Sequence, residues 1–148
     1  MLKGLDRRLS AEIVHALMLM GHGDDLVLCD VNHPAASIAG DTVYGRLIDM
    51  AGCGLAEATE AILTLFPLDT FVPAPVTRML VVGSPEAQMP IFGAIQDVVN
   101  RAEGRAIRID ALERFDFYAR ARRAFCIIRT SDPGPYGCFI LKKGVIAA

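Results

Sequence analysis

The chain has 148 residues, with 15 Lys+Arg against 17 Asp+Glu for a formal net charge of −2, 53% hydrophobic residues and a mean hydropathy of +0.38. That length fits a single domain over 1–148 with a real core, and the apolar content excludes extended disorder. No run approaches the ~20 apolar residues of a membrane helix, and the charge balance lacks the positive field that nucleic-acid binding requires. The apolar surplus has to be covered, and contacts between subunits of a homo-oligomer are the expected place.

In chain order, Ser10 is placed to cap a helix carried by Ile13, Leu17 and Met20, with Gly21 as its stop. Leu26 to Asp30 reads as a buried strand ending in an acid, and Val31 to Asp41 as a loop marked by Asn32-His33-Pro34 and Gly40-Asp41. A short strand is expected within Val43 to Asp49, then a helix from Leu55 to Phe66 that stops before Pro67. Thr70 to Thr77, with Pro73 and Pro75, reads as a surface crossover. Arg78 to Val82 is a predicted strand, and Ser84-Pro85 is expected to start a helix running to about Arg101. Arg105 to Ile109 (strand), Glu113 to Arg122 (helix), Phe125 to Arg129 (strand), Ser131 to Pro135 (turn) and Gly137 to Lys142 (strand) complete the chain. Strands alternating with helices predict an α/β sandwich around a mostly parallel sheet, with the last two strands antiparallel.

The cysteines Cys29, Cys53, Cys126 and Cys138 form no C-x-x-C pair and no zinc spacing. Cys29 and Cys126 lie in apolar runs, where a thiol behaves as a small hydrophobe. The stretch from Met1 to Arg8 lacks the apolar core and cleavage site of a signal peptide, so a reducing cytoplasm is the expected setting. Phosphate-loop, dinucleotide, serine-hydrolase and zinc-protease motifs are all missing. No cofactor is expected.

Gly21-His22-Gly23-Asp24-Asp25 is the first chemically unusual segment. Two glycines allow a ligand to approach the backbone beside an imidazole. The same histidine also reads as a loop residue at a helix cap. A metal site from His22, Asp24 or Asp25, Asp30 and His33 is a third reading, although these residues share no helical face and no known ligand spacing. His33, before Pro34, is expected to be an exposed loop residue. Arg114 falls in the first turn of its helix, where the dipole disfavours a cation. It suits sugar hydroxyls or carboxylates as a multidentate donor, or pairs with Glu113 or Asp116 at the surface. Phe115, Phe117 and Tyr118 are expected in the core. Tyr136-Gly137 at the start of the last strand offers a phenol and an open backbone edge.

As a set, Met1-Leu2-Lys3-Gly4, Met20-Gly21-His22-Gly23-Asp24, Asp30 with Pro34, Arg114-Phe115 with Phe117-Tyr118, and Tyr136-Gly137 before Leu141-Lys142-Lys143-Gly144-Val145 resemble the RbsD/FucU family of cytoplasmic sugar mutarotases. The resemblance spans nearly the whole chain, and Arg114 looks like the L-fucose branch. It implies a three-layer α/β sandwich with a mixed sheet, and oligomers, often rings, with sites near interfaces. It implies that His22 is the catalytic proton donor and that Asp30, Arg114, Tyr136, Gly137 and Cys138 bind the monosaccharide, with Asp30 orienting a hydroxyl or His22. The family usually has asparagine where this chain has Cys138, and a thiol is a weak hydrogen-bonding partner. The alternative of another class is a non-catalytic monosaccharide-binding protein accessory to sugar transport or sensing.

Overall fold

The computed structural model describes residues 2–146; Met1 of the opening motif lies outside them. Its elements run α1 (Ala11–Leu19), β1 (Asp25–Cys29), α2 (Ala35–Ala39), β2 (Leu47–Met50), α3 (Leu55–Leu63), β3 (Val76–Met79), α4 (Pro90–Glu103), β4 (Ile109–Leu112), α5 (Arg114–Arg122), β5 (Cys126–Thr130) and β6 (Cys138–Lys142). The strands form one six-stranded sheet in the order β2-β5-β1-β6-β3-β4. β6 runs antiparallel to both neighbours, β1 and β3, while β1–β5, β2–β5 and β3–β4 are parallel.

Strand alternation explains the layers. Leu26 and Leu28 face a core shared with α1, α3 and α4, through Ile13, Leu17, Leu55, Ile62, Phe92 and Ile95. Val27 and Cys29 face the opposite core, shared with α2 and α5 through Ile38, Ala39, Phe117 and Ala121. Each fully buried Leu, Ile or Phe in these layers contributes roughly 1.5–3 kcal/mol. The result is the expected three-layer sandwich around a mixed sheet. All four cysteines are buried and free. No helix among the described residues is long and apolar enough to cross a membrane.

Side-chain caps hold two helix starts, the first as expected and the second at the residue expected to open the helix itself. The Ser10 hydroxyl accepts the Ile13 N–H, capping α1. Glu113 caps α5 by accepting the Phe115 N–H.

Four expectations are corrected. The loop after Asp30 contains α2, whose Ala35, Ile38 and Ala39 are buried on the sheet. Its five residues are too few to show a full amphipathic period. α4 begins at Pro90 rather than Pro85; both prolines follow a break, but the segment from Ser84 turns back, with Ala87 N–H bonded to the Ser84 carbonyl. The fourth strand lies at Ile109–Leu112, displaced toward α5. β5 and β6 run in opposite directions but are not paired, because β1 lies between them.

Candidate active site

The predicted site residues fall at the two ends of β1. His22 precedes the strand and Asp30 follows it, so the length of a five-residue strand, about 17 Å, separates the two ends. Asp30 therefore does not orient His22 within one chain. Nor do His22, Asp30 and His33 converge, and among the described residues no group of three or more His, Cys, Asp or Glu is arranged to hold a metal.

At the His22 end, the partner is a residue that the sequence reading did not single out. His22 Nε2 lies 3.1 Å from Asp69 Oδ1, with the imidazole 46% exposed and the carboxylate only 3%. Asp69 is held firmly. Its N–H donates to the Lys142 carbonyl, and its Oδ1 also accepts the Phe71 N–H at 3.0 Å. The Phe71 N–H foremost, and then the His22 imidazole, hold the carboxyl below its ordinary range against the opposing effect of burial. Neighbouring Leu68 bridges Lys143, fixing the crossover to the sheet. The exposed Phe71 ring stands 5.2 Å from the imidazole. An exposed imidazole steered by a buried carboxylate can exchange protons with solvent while keeping its orientation. A signal was present in Leu68-Asp69, an acid at the edge of an apolar run, but the prolines that follow mask it.

At the other end, Asp30 is buried and nearly saturated. Its Oδ1 accepts the N–H groups of Asn32 (2.8 Å) and His33 (3.0 Å), and its Oδ2 accepts that of Gly137 (2.9 Å). Burial raises its pKa above the ordinary carboxyl range, partly offset by these bonds. Gly137 is required by close approach, since a Cβ there would lie 3.2 Å from Asp30 Cβ. Tyr136 adopts a left-handed backbone at φ 60°, and its hydroxyl oxygen accepts the Val82 N–H at 3.1 Å. Such a conformation costs a non-glycine residue about 1–3 kcal/mol and is typical of binding sites. The phenol keeps its own proton to donate. Cys138 is buried beneath, its thiol pushed far up by desolvation.

Arg114 opens α5 as expected, but it makes no ion pair with Glu113 or Asp116. Its guanidinium carbon lies 4.7 Å from the centre of the Phe115 ring. Phe115 itself is exposed rather than in the core; Phe117 is buried and Tyr118 half-buried. Contrary to expectation, His33 is buried, packed edge-on against Phe117 and Tyr118. The structure thus gathers Asp30, Arg114, Tyr136, Gly137 and Cys138 at one end of the sheet and leaves His22 at the other.

Fold and residues define a three-layer α/β protein with a cluster of hydrogen-bonding groups at one end of its sheet and an imidazole–carboxylate pair at the other. Residues 3–146 match the model of the RbsD / FucU transport protein family. A protein of Homo sapiens named fucose mutarotase is 41% identical over 150 residues, covering 99% of this chain and 95% of that protein. The L-fucose mutarotase of Actinobacillus pleuropneumoniae serotype 5b (strain L20) is 35% identical over 145 residues, covering 98% of this chain and 97% of the relative. The crystal structure of the fucose mutarotase in complex with L-fucose from Streptococcus pneumoniae superposes with a TM-score of 0.87 at 35% identity, covering 99% of this chain and 100% of that one. The chain belongs to the RbsD/FucU family.

Proposed function

We propose that this protein is a sugar mutarotase, an isomerase that interconverts the α and β anomers of free L-fucose or a closely related monosaccharide. It works in the cytoplasm as a homo-oligomer and without a cofactor. The observation that most supports proton-transfer chemistry is the His22–Asp69 pair, an open imidazole oriented by a buried carboxylate. Relatives named fucose mutarotase, matched over nearly their full length, support the substrate class.

Mutarotation needs little more than a positioned acid and base. The ring oxygen gains a proton, the anomeric hydroxyl loses one, and the bond from C1 to the ring oxygen breaks to give the aldehyde. Rotation about C1–C2 and closure on the other face invert the anomer. His22 delivers the proton to the ring oxygen, a role worth ~10²–10⁴-fold, and water takes the one that the anomeric hydroxyl loses. Arg114 holds sugar hydroxyls, and Tyr136 donates its phenolic proton to a substrate oxygen. Asp30 holds the Gly137 backbone edge in place, and its Oδ2 retains a lone pair for a hydroxyl.

Because the two groups of residues occupy opposite ends of β1, a complete site takes two copies: the His22 end of one chain against the Arg114 end of the next. Exposed Phe71 beside His22, and exposed Phe115 and Val82 beside Arg114 and Tyr136, are the apolar surface such a contact would cover. A ring of copies satisfies every such contact.

Exchange NMR on L-fucose, D-ribose, L-rhamnose and D-galactose tests this reading. Faster anomer exchange of L-fucose than the spontaneous rate is expected. Spontaneous rates throughout, with calorimetric sugar binding, would replace it by the binding-protein alternative.

A further inference from the structure

Among the described residues, three buried side-chain nitrogens have no hydrogen-bond partner: His33 Nδ1, His33 Nε2 and Arg114 Nε. All belong to the Asp30 end of the sheet. Elsewhere the fold satisfies such groups with care. Buried Thr42, Thr59 and Thr130 donate to the carbonyls of Ala39, Leu55 and Cys29, and buried Thr77 accepts from Arg120. Unmet polar atoms confined to one place mark a place built to meet something else.

The backbone of His33 is tied to the site. Its N–H donates to Asp30 Oδ1, and its carbonyl accepts the Ala35 N–H. The ring lies 5.8 Å from that of Phe117 and 5.3 Å from that of Tyr118, edge-on to each. Tyr118 stands one turn after Arg114 on α5, so the two side chains share a face. Tyr118 and Arg114 are both half-buried.

We infer that His33 is a sugar-positioning residue: when the monosaccharide binds beside Arg114, the Tyr118 side chain turns aside and the His33 imidazole takes one of its hydroxyls. This rests on the monosaccharide reading above. A neutral imidazole offers one donor and one acceptor, the complement of a hydroxyl. Burial pushes the ring down to about 4, so it stays neutral at neutral pH and is not the acid of the reaction. It also supplies polarity where the Cys138 thiol supplies little.

The test compares wild type with His33→Phe, which keeps the ring packing and removes both nitrogens, and with His33→Gln, which restores a donor and an acceptor. Calorimetry gives Kd for L-fucose and the other three sugars, and exchange NMR gives KM and kcat. Expected for His33→Phe is a rise in Kd and KM of about tenfold, a smaller change in kcat and a Tm at or above wild type. His33→Gln is expected to recover part of the loss. In wild type, the ¹⁵N signals of the His33 ring should shift on sugar addition, a readout that needs no variant to fold. Unchanged Kd in His33→Phe, or unmoved ring signals in sugar-saturated wild type, would overturn the inference and leave a packed core histidine. Sugar binding without anomer exchange overturns the mutarotase reading alone, with His33 still read from Kd. Wild type that binds none of the sugars overturns both.

Discussion

The two ends of β1 differ in how they treat polar groups. At the Asp25 end, His22 stands open to water and only its carboxylate partner is buried. At the Asp30 end, a carboxylate and an imidazole are buried together, one held by three backbone N–H groups and the other unmet. Proton transfer needs a group that reloads from solvent, whereas selective binding needs dry groups whose hydrogen bonds are completed by ligand. One short strand thus separates two environments, an open one and a dry one, within a single chain.

The strongest way to break this contrast is His22→Ala. Anomer exchange should fall ~10²–10⁴-fold, while stability falls by about 1 kcal/mol, because buried Asp69 loses the imidazole but keeps the Phe71 N–H. Exchange NMR and a thermal melt check both. Full activity in this variant would remove His22 from the reaction.

The buried end should reveal itself through pH. His33 titrates near its ordinary 6.5 when unfolded and at about 4 when folded. Between those values the unfolded chain binds more protons, so stability falls as the pH drops from about 6.5 toward 4, by up to about 3 kcal/mol. Urea melts across that window should show the slope, and His33→Phe should flatten it.

Gly144→Ala probes the exposed end from beneath. A Cβ there would lie 2.5 Å from the Leu68 carbonyl oxygen and 2.9 Å from Asp69 Cα, both backbone atoms. A loss of about 1–3 kcal/mol is expected, together with slower exchange as Asp69 shifts away from His22. The smallest effect is expected from Tyr136→Phe. It frees an exposed backbone N–H to bond water, costing at most about 1 kcal/mol. The expected change is a severalfold rise in KM with little change in Tm.

Periodicity made most of the fold legible. α1, β1, α3 and β5 carried apolar patterns with punctuating residues, α5 only its composition, and all five lie within a few residues of their expected bounds. Short or doubly punctuated segments were not legible. α2 hides behind Asn32-His33-Pro34, and two prolines compete for the start of α4. Pairing was also out of reach, since nothing in the β6 residues says that they insert between β1 and β3. At the site, residue chemistry pointed to His22, Asp30, Arg114 and Tyr136, but not to their separation, which depends on strand direction. Asp69 is 47 positions from His22, and only the crossover onto β6 brings them together.

That insertion of β6 bears on how the protein is made. β2, β5 and β1 can associate without it, and so can β3 and β4, yet no pairing joins the two groups until Cys138–Lys142 is in place. On the ribosome β6 is the last of these strands to emerge, and until then the two groups are joined only by helix packing, chiefly α3 on α4, with the facing edges of β1 and β3 bare. The same five residues carry Tyr136-Gly137 at their entry and meet the Asp69 crossover at their exit, so late arrival of one segment completes both ends at once.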